Sequence, residues 1–146
     1  MEQKTIIING FEEKEISSLY QFLDFYEDND LKNCNEGDAI KKVPSLTEMK
    51  AIMNSFTHDE KSISKLKSIN IESLNDELYY TKKTSEFMGF LYHLRNSIAH
   101  ANILKDGEMV KITDYDIKNT NPQCTAKGKI KYEIIQNMVD IINKKR

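Results

Sequence analysis

Arg95 and His100 stand five residues apart in LYHLRNSIAH, Leu91 to His100, and Asn102 follows two residues later. An arginine is a planar, permanently charged fork that grips a phosphate through two parallel hydrogen bonds, and lysine does not replace it at such a site. A histidine is the residue type that exchanges its proton near neutral pH, so it can take a proton from a hydroxyl or deliver one to a departing oxygen. Together they suit chemistry at a phosphodiester. The choice of arginine carries weight because 19 of the 21 cationic residues are lysine and the other arginine is the terminal Arg146. Plainer roles remain open: Arg95 pairing or capping within a helix bundle, and His100 stabilised by the dipole at a helix C-terminus.

If this stretch is helical, Tyr80, Phe87, Leu91, Leu94 and Ile98 form one stripe facing the core. Counting about 100° per residue from His93, Arg95 lies near 200°, Ala99 near 240°, Tyr92 near 260°, Asn96 near 300° and His100 near 340°. All of them then share the side away from the core. Arg95 and His100 are roughly 140° apart on a straight helix, too far to act on one atom from a single copy. Two chains paired through this face would bring Arg95, Asn96 and His100 of both copies into one cleft, and small Ala99 would let the helices approach.

The elements that must position these residues are read from periodicity. Ile16, Leu19, Tyr20, Leu23 and Tyr26 predict an amphipathic helix over 12–30, ending in the loop-like NDLKNCNEGD. The short TIII run before it fits a strand or the lead into that helix. Ser45 followed by Glu48 resembles a capping box and predicts a second helix through Phe56. A shorter helix is expected in DEKSISKLKSI, preceded by His58 at the surface. One long helix is expected from about Asn75 to Ala101. ILKDGEMVKI then places Asp-Gly between two short apolar segments, the signal of a β-hairpin. Residues 114–123 read as loop, with Thr125 capping a last helix whose buried side is Ile130, Ile134, Met138 and Ile141.

Composition bounds the class. The chain has 146 residues, 39% hydrophobic and 30% charged, as expected for one soluble globular domain. Its longest apolar run, Ile6 to Ile8, is far short of the roughly 20 residues of a membrane helix, which points to a cytoplasmic protein. Cys34 and Cys124 belong to no metal-spaced cluster, so no metal or cofactor is expected. The net charge of −2 is uneven, with three lysines against ten carboxylates in residues 1–40 and a basic C-terminal half. Lys127, Lys129 and Lys131, with Lys144, Lys145 and Arg146, could meet phosphates or form a solvated helix face and tail.

RNSIAH resembles the R-x-x-x-x-H motif of the HEPN superfamily, with the polar Asn96 after the arginine. A helix ending in FLYHLRNSIAHANI, followed by a hairpin and a last helix, is similar to HEPN domains of bacterial defence, plasmid and toxin-antitoxin systems. The resemblance covers mainly residues 75–145 of a single domain spanning 1–146. It implies a mainly α fold, a HEPN-like helical bundle with a small β-hairpin after the motif helix. It also implies a homodimer through that helix, with RNA as substrate and an antitoxin or defence protein as partner. The activity implied is that of a metal-independent endoribonuclease without cofactor, leaving a 2′,3′-cyclic phosphate and a 5′-hydroxyl. By the same resemblance Arg95, His100 and Asn96 are catalytic, and Tyr92, His93, Ala99 and Asn102 line the substrate or dimer cleft. Toxins of this kind under nucleotidyltransferase control often carry a tyrosine where this chain has Asn102, which argues against adenylylation there. A non-catalytic HEPN module binding RNA, nucleotide or protein, and a purely structural dimerisation domain, are the competing readings.

Overall fold

The computed structural model describes residues 7–144, excluding positions 83 and 119 and the side chains of Ile7 and Lys118. A two-stranded ribbon, β1 (Ile7–Ile8) and β2 (Phe11–Glu12), leads into α1 (Glu13–Asp28). A 3₁₀ turn (Leu31–Asn33), α2 (Glu36–Lys42) and a longer 3₁₀ segment (Pro44–Ile52) follow. Then come β3 (Met53–Thr57), α3 (Glu60–Ser68), β4 (Glu77–Lys82), α4 (Glu86–Ala99), β5 (Ile103–Asp106), β6 (Met109–Lys118), β7 (Asn121–Lys131) and α5 (Tyr132–Lys144).

Five strands form one mixed sheet in the order β3-β4-β7-β6-β5, with β3 parallel to β4 and the other neighbours antiparallel. Alternation along β4 sends Leu78 and Tyr80 into the core beneath α4. Tyr79 points the other way, stacks on Phe56 and faces Lys127, whose ammonium donates to the carbonyls of Lys67 and Ile69 at the end of α3. Helices thus pack on both sides of the sheet. A contiguous cluster of buried side chains joins α1, α4, α5 and the inner face, with Phe22, Phe90, Leu94, Ile112 and Ile130 fully enclosed.

The fold is α/β, and the expectation of a mainly α bundle with one small hairpin is overturned by this sheet. The hairpin exists: Gly107, at φ +63°, opens a two-residue turn between paired Asp106 and Met109. It is only the edge of the sheet. The expected long helix from Asn75 is instead β4 followed by a break and α4, and Phe56 belongs to β3 instead of a helix begun at Ser45. Residues 114–123 lie largely within β6 and β7, and Thr125 is inside β7, with the last helix starting at Tyr132. Of TIII only Ile7 and Ile8 are described, as β1, while Lys145 and Arg146 lie outside the described residues. The helices expected over 12–30 and in DEKSISKLKSI are present as α1 and α3. Among the described residues, no helix is long and apolar enough to cross a membrane.

Candidate functional site

The motif sits on α4, whose ends are both fixed. The Ser85 hydroxyl caps it, accepting from the Met88 amide at 3.1 Å. Gly89 lets it approach β4, since a Cβ there would lie 3.0 Å from the Tyr80 ring. At the other end Ala101 adopts φ +56°, the Ala101 amide donates to the Ile98 carbonyl and the Asn102 amide to the Ser97 carbonyl. This is a Schellman closure with alanine where glycine is usual. His100 therefore occupies the helix cap itself, exposed to solvent.

Inside α4 runs a chain of polar contacts. His93 is 4% exposed and Asp114 1%. The imidazole of His93 meets an Asp114 carboxylate oxygen at 2.8 Å through Nδ1 and the Thr81 carbonyl at 2.6 Å through Nε2. Both partners are acceptors, so Nε2 carries a proton and another sits between Nδ1 and the carboxylate. His93 is fully engaged. The same Asp114 oxygen accepts from Asn96 Nδ2 at 3.3 Å, and Asn96 Oδ1 accepts from the Arg95 guanidinium at 3.0 Å. Arg95 then reaches Glu27 on α1, through Nε at 2.9 Å and a second nitrogen at 2.8 Å. The Arg95 guanidinium is thus braced between Asn96 and Glu27.

Two adjoining cavities open beside this chain. One, of about 220 Å³, is lined by Arg95, Asn96, Glu27 and Asp30, and the other, of about 310 Å³, by His58, His93, Met88 and Thr84. Tyr26, Lys32 and Tyr92 line both. Burial pushes the Tyr26 phenol up to about 12, partly countered by Arg95, so it remains a neutral hydroxyl across ordinary pH. His58 Nδ1 lies 2.9 Å from the Thr81 hydroxyl.

The structure thus brings Arg95, Asn96, Tyr92 and His93 to one side of α4, but not in the expected sense. His93 and Asn96 are core residues, because an acid on β6 reaches them from beneath the helix. His100 lines neither cavity and, among the described residues, its imidazole makes no hydrogen bond. Ala99 is exposed, and Asn102 serves through its backbone, accepting from the Thr113 amide. Lys127 and Lys129 donate to backbone carbonyls near α3 and are bound within the fold. His58, expected at the surface, is half-buried at the larger cavity. Lys32, Glu27, Asp114 and Thr81 were missed. The signal for Asp114 is its place in the alternation Val110, Ile112, Asp114 on the inner face of β6.

No curated protein and no solved structure shows a significant match to the chain. A family model described as HEPN pEK499 p136 matches residues 14–145, which takes in α1 and the acidic Glu27 as well as the motif helix. With the match extending over nearly the whole length, the chain belongs to this HEPN family.

Proposed function

We propose that the chain is an endoribonuclease of HEPN type acting without a metal, with Arg95 and His100 of two copies sharing a cleft at a homodimer axis. The observation that carries this reading is the presentation of Arg95: a braced guanidinium lining a cavity of about 220 Å³, on the helix that ends in solvent-facing His100. Arg95 holds the scissile phosphate and offsets its growing charge. One His100 takes the proton of the ribose 2′-hydroxyl as that oxygen attacks phosphorus, and the partner copy's protonated imidazole gives a proton to the leaving 5′-oxygen. The P–O5′ bond breaks, leaving a 2′,3′-cyclic phosphate and a 5′-hydroxyl. Asn96 positions Arg95 from the Asp114 side. A toxin or anti-phage role, held in check by an antitoxin or other defence partner, fits such an activity.

Glu27 favours a second reading, a HEPN module that binds without cleaving, because its carboxylate takes the face of Arg95 that a phosphate would use. Incubating the protein with mixed RNA in EDTA, beside His100→Ala, separates the two. Fragments ending in 2′,3′-cyclic phosphate from the parent alone support the nuclease. RNA left intact by both proteins overturns it in favour of the binding module.

A further inference from the structure

The two cavities flanking Tyr92 are continuous in their walls, and their linings differ in kind. The larger, about 310 Å³, combines the Tyr92 and Tyr26 rings and the Met88 side chain with His58 and Thr84. That volume is at the lower end of what small-molecule sites offer, room for one nucleoside and not for two. His58 is held through one nitrogen on the Thr81 hydroxyl, while its Nε2 has no protein partner among the described residues. The ring is fixed, with one hydrogen-bonding atom left over. Lys32, at the junction of the lobes, likewise makes no hydrogen bond or ion pair among the described residues. The smaller lobe holds Arg95.

We infer that this double cavity is a one-nucleotide subsite, reading the base of the nucleotide whose phosphate lies at Arg95. The base enters the larger lobe and packs on Tyr92 as any base packs on an aromatic face. His58 Nε2 and the Thr84 hydroxyl meet its polar edge and set base preference. The phosphate rests between Lys32 and Arg95, displacing the carboxylate of Glu27, whose side chain is 58% exposed and free to swing away. The ligand chemistry, a base joined to a phosphate, has two sources: a nucleotide within RNA or a free mononucleotide. Only the choice of RNA rests on the nuclease reading above.

The test measures binding of 2′-O-methyl oligonucleotides of each base, which resist cleavage, and of each nucleoside 5′-monophosphate, following the His58 imidazole by NMR. The parent is expected to prefer one base with the oligonucleotides, and His58→Ala and Thr84→Trp to weaken it by about tenfold or more and flatten the preference. Thr84 is exposed, so the plugging tryptophan leaves the fold intact. If oligonucleotides bind and RNA is cleaved equally by the parent and both variants, the subsite falls and the nuclease stands. Tight, base-selective binding of mononucleotides with no RNA cleavage keeps the subsite and removes the nuclease. Absence of binding by either ligand overturns the subsite.

Discussion

Two carboxylates touch the motif, and burial decides that they act differently. Asp114 holds His93 and Asn96, all three less than a tenth exposed, so Asp114→Ala leaves an imidazole and an amide without their acceptor. Removing one member of a buried pair costs about 3–5 kcal/mol. Urea unfolding should show a loss of that order, and a loss below about 1 kcal/mol would mean the pair holds nothing. Glu27 pairs with Arg95 at side-chain exposures of 58% and 32%. Such a pair contributes less than about 1 kcal/mol, so Glu27→Ala should unfold almost as the parent does. On the nuclease reading it should also bind RNA more tightly, since a phosphate no longer competes with a carboxylate for Arg95; weaker binding in a filter assay would make Glu27 a positioning residue instead. Arg95 stood out in the sequence as one of two arginines among 21 cations, and His100 through the resemblance of RNSIAH to the R-x-x-x-x-H motif. The burial of His93 and Asn96 was not, because a helix wheel sees only its own helix and Asp114 lies on β6.

At the scale of elements, the misreadings share a cause. Leu78, Tyr79 and Tyr80 continue the apolar spacing of Phe87 and Leu91 well enough to pass for one helix, although Leu78 and Tyr80 alternate as a strand. The same alternation, Ala126, Gly128 and Ile130 inward with Lys127 and Lys129 outward, marks β7 and was overridden by Thr125 as a cap. Two substitutions test what holds these elements together, with opposite signs. Gly128 lies against β4 so closely that an added Cβ would meet Leu78 Cδ1 within 2.4 Å and the Leu78 Cα at 2.8 Å. Gly128→Ala should therefore destabilise by at least about 1–3 kcal/mol, the usual cost of overpacking. Ala101 pays the left-handed penalty at φ +56° where a glycine would not. Ala101→Gly should stabilise by about 1 kcal/mol. Chemical denaturation reads both, and a destabilised Ala101→Gly would show that the helix end before β5 is not under strain.

For the whole molecule, the packing of α1 against α4 gives part of the acidic N-terminal region a place at the site: it brings Glu27 and Asp30 to the Arg95 cavity and encloses Tyr26 between helices. Long-range pairing of this kind leaves no local trace, whereas the helical parts α1 and α3 were legible from their own periodicity. Its thermodynamic consequence is an alkaline limit. Burial, with smaller contributions from Tyr92, Glu27 and Asp30, pushes the Tyr26 phenol up to about 12 against the pull of Arg95. Burial, aided by Glu15, does the same for Tyr132. In the unfolded chain both phenols ionise near about 10. The folded state therefore keeps protons that the unfolded state releases, and the stability this represents is complete below about pH 10 and is lost as pH rises from about 10 to about 12. Tyrosinate absorbance from the enclosed phenols should accordingly appear only as the chain unfolds. Tyr26→Phe removes one of these releasing groups, which also include Tyr80, held well above its ordinary range by burial, so its stability should fall less steeply over the same interval. A decline as steep as the parent's would mean that Tyr26 gives up its proton equally readily folded and unfolded.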